Sequence, residues 1–134
     1  MGNGIIYPSV EQIEAYNMLA LMVIKVKKAD SHRVLSRSKI RDAISECENA
    51  EGDIYLKAAT LTRGLVQKHA FASGNRRTAF IAAKSFIIAN DGIFRIPDDP
   101  HCAKAMQGIR EDYYSIDEIM EWIKNGKIRE FKRR

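Results

Sequence analysis

Six residues able to handle an anion and a proton fall between positions 69 and 77: His69, Ser73, Gly74, Asn75, Arg76 and Arg77. His69 brings an imidazole, the side chain best able to exchange a proton near neutral pH. Gly74 permits a backbone with positive φ or a close approach to a ligand. Asn75 can cap a helix, contact a phosphate, or do both. Arg76 and Arg77 bring adjacent guanidinium groups whose forks match phosphate oxygens, and Arg77 is the better placed to stabilise developing charge. Plainer roles are open to the same residues: a helix-terminal histidine bonded to carbonyls, a turn glycine, a capping asparagine. Phe71, in their midst, reads as a packing anchor for the loop.

Two helices must position this run. Upstream, Ile54, Ala58, Leu61, Leu65 and His69 recur at helical spacing, as do Tyr55, Ala59, Thr62 and Val66, so a helix over Asp53–Lys68 delivers His69 at its end. Downstream, Ala79, Ala82, Ala83, Phe86, Ile87 and Ala89 continue a second apolar helix over Arg77–Ala89, stopped by Asn90-Asp91-Gly92. The start of that helix leaves N–H groups unpaired at the positive end of its dipole, and phosphate is the natural guest.

The run resembles the signature of the Fic/Doc family, His-x-Phe-x-(Asp/Glu)-(Gly/Ala)-Asn-(Gly/Lys)-Arg, met here by His69, Phe71, Gly74, Asn75 and Arg77. Fic proteins usually add a second arginine three residues on, where this chain has Phe80, so the ending Arg77-Thr78-Ala79 is more similar to the Doc (death-on-curing) branch. The resemblance implies ATP or another nucleoside triphosphate as ligand, with His69 as general base toward a protein hydroxyl. It implies Ser73, Gly74, Asn75, Arg76 and Arg77 as phosphate-binding positions. It also implies Mg²⁺, held by an acidic residue at the position of Ser73. A neutral hydroxyl there removes charge that magnesium prefers, and no His, Cys and carboxylate set suggests zinc. Arg76, where Doc has lysine, keeps the charge in a planar form.

Three functions follow from that resemblance. The first is a Doc-like kinase or toxin that moves a phosphoryl group to a protein Ser/Thr hydroxyl, with a translation factor as target and an antitoxin as partner. The second is Fic-type nucleotidyl transfer. The third is a binding module for a nucleotide or protein, disarmed at Ser73. Target, antitoxin and oligomeric state are not written in the sequence.

The chain, 134 residues with 46% hydrophobic and 29% charged, is long enough for one domain with its own core. Much of its net charge of +5 lies in a basic tail over residues 127–134, expected to be a solvated, frayed end. No second basic patch or nucleic-acid motif accompanies it, so nucleic acid is not the expected partner. Cys47 and Cys102 stand far apart, as ordinary thiols of a reducing compartment do. No apolar run reaches the about 18 residues of a membrane span, and Met1–Tyr7 lacks a secretory pattern. A cytoplasmic location is expected.

Elsewhere, Ser9 with Gln12 starts a helix running to about Lys28, and Ala29–Arg37 is polar. The resemblance makes His32–Ser36 part of a short flap bordering a substrate groove; a surface turn is the plain reading. A helix over Ser38–Cys47 points Ile40, Ala43, Ile44 and Cys47 inward. Asp53 caps the next helix. Asp98 or Asp99 with Pro100 starts another, and Ser115 with Glu118 a last one, ending at Gly126. The fold expected is all-α, about six helices around the central two.

Overall fold

The computed structural model describes residues 4–24 and 32–133. Six helices follow one another: α1 (Val10–Ile24), α2 (Arg37–Asn49), α3 (Ile54–Lys68), α4 (Asn75–Ala89), α5 (Pro100–Arg110) and α6 (Ile116–Asn125). No strand occurs among the described residues, apart from one isolated antiparallel bridge between Val34 and Phe71. The fold is the all-α bundle that the periodicity predicts. The expected last turn of the first helix, Lys25–Lys28, and the turn residues Ala29–Ser31 lie outside the described residues.

Local chemistry sets most boundaries. Ser9 and Gln12 exchange side-chain and backbone bonds of 2.9 and 3.1 Å ahead of α1. Ser36 accepts from Lys39 N, which starts α2 slightly before the predicted Ser38. Asp53 accepts from the amides of Tyr55 and Leu56, Asp99 from that of His101, and Ser115 and Glu118 form the full capping box of α6. At the end of α4, within the run Asn90-Asp91-Gly92 that the sequence marks as its stop, the left-handed residue is Asp91 (φ 65°). Amides of Gly92 and Asp91 bond the carbonyls of Ile87 and Ile88 in a Schellman arrangement. A Cβ at Gly92 would lie 2.7 Å from Ile54 Cδ1 and 2.9 Å from Ile87 Cγ2, so those side chains would have to shift to admit one.

Helix α3 is the hub, packed against α2, α4, α5 and α6, while α1 lies on α4. Its buried surface therefore extends around the helix and includes Lys57, Thr60 and Thr62 besides the apolar stripe. Lys57 is only 7% exposed, and its ammonium donates to the carbonyls of Glu48 and Ala50 at 2.9 Å and of Cys47 at 3.4 Å. A cation thus closes the C-terminal end of α2, where the helix dipole is negative.

The basic tail departs from expectation. It is docked, not frayed: Phe131 is buried, Tyr114 Oη donates to Arg129 O at 2.8 Å, and the Arg129 guanidinium lies 4.1 Å from the Tyr113 ring centre. Arg129 pairs with Glu118, Arg133 with Glu111, and Lys104 with Glu130. One aromatic side chain entering the core outweighs the tendency of a polar terminus to stay solvated.

Replacing Lys57 by methionine keeps the aliphatic stem and leaves three carbonyls without their donor. The expected cost is about 1–3 kcal/mol, read as a lower midpoint in chemical denaturation. An unchanged midpoint would show that the ammonium does not hold the end of α2.

Candidate active site

Residues 69–74 join α3 to α4, the pair at the centre of the bundle. His69 ends α3 in the left-handed region (φ 55°, ψ 56°), an unusual conformation for a residue with a Cβ. Gly74 precedes α4 at φ 78°, and a Cβ there would meet Leu21 Cδ2 at 3.2 Å and Asn17 Nδ2 at 3.3 Å. The backbone conformation favours glycine, and a Cβ would in addition press the Leu21 and Asn17 side chains outward by a few tenths of an ångström.

The buried backbone between these two points is bonded on both sides. Asn75, itself buried, accepts from Phe71 N at 3.1 Å and donates to Phe71 O at 2.8 Å. Its Nδ2 also lies 3.4 Å from His69 Nδ1, a long contact that bears on the ring's orientation. On the other side, Leu35 N and Ser36 N donate to Ala70 O and Ala72 N donates to Arg33 O. The described part of the expected flap, residues 32–36, is therefore a backbone splint for the loop. Phe71 is 1% exposed, as an anchor would be.

A cleft of about 750 Å³ opens beside this loop. It is lined by His69, Ser73, Gly74, Asn75, Arg76 and Arg77, so the structure gathers those six sequence candidates on one wall. Helix α5 and the residues before it form the facing wall, with Asp98, Lys104, Met106, Gln107 and Arg110. Sequence reasoning singled out none of that wall as functional; only its charge, carried on a helix of otherwise ordinary periodicity, could have marked it. The imidazole of His69 is exposed at the cleft, whereas the carboxamide of Asn75 is turned to the loop's own backbone.

Arg77 does not stand open. Its Nη1 and Nη2 donate to the two carboxylate oxygens of Asp98 at 2.8 and 3.0 Å, its guanidinium carbon lies 5.2 Å from the Phe80 ring centre, and its Nε is buried without a partner. This is the bidentate geometry that a phosphate would use. The Arg77 hydrogen bonds hold the Asp98 carboxyl below its ordinary range, so the pair is intact at neutral pH and is lost as the pH falls through that lowered value. Cys102 borders the same cleft, but burial first, then Asp98, pushes its thiol up to about 11. It stays protonated and is a poor nucleophile.

One further polar residue was missed, and it partners a histidine of the expected flap. Asn17 is fully buried, on the stripe that Ile13 and Ala20 define by i, i+4, i+7 spacing; that interruption of an apolar stripe was the available signal. Its Nδ2 donates to Ser73 O at 2.9 Å and Thr78 Oγ1 at 3.0 Å, and its Oδ1 lies 2.8 Å from His32 Nδ1. His32, which has no evident partner in the sequence, thus has one in the fold. Among comparisons with known proteins, a family model described as Fic/DOC matches residues 6–87, which takes in α1 to α3 and nearly all of α4. The α5 wall of the cleft lies beyond the matched stretch. No curated protein matches the chain.

If Arg77 is a phosphate clamp, Asp98 competes with the ligand for its fork. Asp98→Asn keeps the shape and removes the charge, and is expected to tighten binding of tripolyphosphate several-fold in isothermal titration calorimetry. Weaker binding would mean instead that Asp98 orients Arg77 for the ligand.

Proposed function

The chain belongs to the Fic/DOC family, known for transferase activity on nucleotides and proteins, and on that premise we propose a Doc-like phosphotransferase acting on a protein Ser/Thr hydroxyl. The observation that carries the reading is the cleft itself, which sets an exposed imidazole, the N-terminus of a long helix and two arginines around a volume suited to a nucleotide. In the step proposed, the target hydroxyl oxygen attacks the γ-phosphorus and His69 takes its proton. The bond to the bridging oxygen breaks, and the nucleoside diphosphate leaves with the electron pair. Unpaired N–H groups at the start of α4, with Arg76 and Arg77, offset the charge on the phosphate oxygens. Phe80, where Fic proteins carry their second arginine, favours this step over nucleotidyl transfer.

Magnesium, which the family implies, finds a poor donor set. Ser73 offers a neutral oxygen, both oxygens of Asp98 are engaged by Arg77, and among the described residues no three His, Cys, Asp or Glu side chains stand together. No step is assigned to a metal, and the positive side chains of the cleft carry the charge compensation. The same facts favour a second reading, a module that binds a nucleotide or a protein and transfers nothing. A translation factor as target, an antitoxin as partner and a cytoplasmic setting remain parts of the proposal. No helix among the described residues is long and apolar enough to cross a membrane.

Label transfer from ATP tagged at either the α- or the γ-phosphate, into a cell extract with Mg²⁺, tests these readings in wild type, His69→Ala and Ser73→Asp. Transfer of γ-label by wild type is expected, falling at least about 100-fold in His69→Ala. Transfer of α-label would establish nucleotidyl transfer. Activity confined to Ser73→Asp would show a site disarmed at one position, and silence from all three without nucleotide binding would overturn the enzyme.

A further inference from the structure

A fully buried carboxamide in the middle of an apolar helix is costly unless all its hydrogen-bonding capacity is used. Asn17 spends both amide hydrogens on the loop and the first turn of α4, and its oxygen meets the segment that splints the loop. One amide hydrogen goes to Ser73 O and the other to Thr78 Oγ1, while the Thr78 hydroxyl donates to Gly74 O at 2.7 Å. Oδ1, a carbonyl oxygen, can only accept, so a hydrogen bond at this 2.8 Å contact calls for the His32 proton on Nδ1. The His32 ring lies 6.0 Å from that of Phe71, on the segment whose backbone splints the loop.

The direction of these bonds matters. No peptide bond among the described residues is cis, so the carbonyl of Ser73 and the N–H of Gly74 point in opposite directions within one plane. Asn17 draws the Ser73 carbonyl toward α1, and the Gly74 N–H must then face away from α1. Gly74 lines the cleft, and no hydrogen bond engages its N–H among the described residues. Were that peptide to turn over, a carbonyl oxygen would face the anion in place of a donor.

We infer that Asn17 is a positioning residue for the anion-holding loop, fixing the peptide between Ser73 and Gly74 so that its N–H serves the ligand, with His32 as the lock on its carboxamide. The inference rests on the reading of the cleft as a phosphate site. It extends the site to α1 and to the segment before α2, neither of which need touch the ligand.

The test is titration calorimetry with tripolyphosphate, without magnesium, on wild type, Asn17→Ala, His32→Leu and His32→Asn, each well below its own melting temperature. The Gly74 amide resonance is followed in parallel. Asn17→Ala should weaken binding about tenfold and His32→Leu about fivefold, as expected for one or two net hydrogen bonds. His32→Asn, which keeps a donor near the position of Nδ1, should restore most of the loss, and the Gly74 amide should shift on binding in wild type and much less in Asn17→Ala. A purely structural role would lower the melting temperatures and leave affinity and the amide shift unchanged, which would overturn the inference while the phosphate reading stood. Absence of binding by wild type would overturn both. Should Asn17→Ala fail to fold, the exposed His32 variants decide the matter alone.

Discussion

The two bonds between the Asn75 carboxamide and the backbone of Phe71 are the constraint on which the site depends. Two buried helices, α3 and α4, meet through a loop too short to reach solvent along its whole length, and the N–H and C=O of Phe71 would otherwise lie unpaired in the core. One asparagine satisfies both. With Phe71 fixed, the chain leaves α3 through a left-handed His69 and enters α4 through a left-handed Gly74, so the imidazole and the start of α4 face the same cleft. Asn75 is thus a builder of the anion-binding loop whatever else it touches, because its polar atoms are already committed.

Electrostatics divides the cleft into two walls of different origin. The wall formed by the loop and α4 carries Arg76 and Arg77, and the wall around α5 carries Asp98, Lys104 and Arg110. The Arg77–Asp98 pair crosses between them and links the part covered by the family match to the part beyond it. A neutral Ser73 on one wall and an acidic Asp98 on the other give the site a distribution of charge that the motif alone would not suggest. The position of α5 rests in turn on the C-terminal segment, through Phe131 in the core and the Lys104–Glu130 and Arg133–Glu111 pairs. The ion pairs are exposed and each contributes little; the buried ring is the main anchor.

The sequence by itself determined what is short-ranged. Capping side chains at Ser9, Asp53, Asp99 and Ser115, apolar periodicity, and the His69–Arg77 run act within a few residues, so the all-α class, most helix starts and one wall of the cleft could be read directly. What the tertiary structure alone decided are pairings between residues far apart in the chain. Asn17 with Ser73, His32 with Asn17, Arg77 with Asp98 and Tyr114 with the tail each join residues between 15 and 56 positions apart. A carboxamide on an apolar stripe, or an arginine that could hold phosphate or aspartate, has no single partner implied by spacing. Which group it meets depends on how the helices pack, and that is fixed by the sum of the buried surface and not by any local pattern.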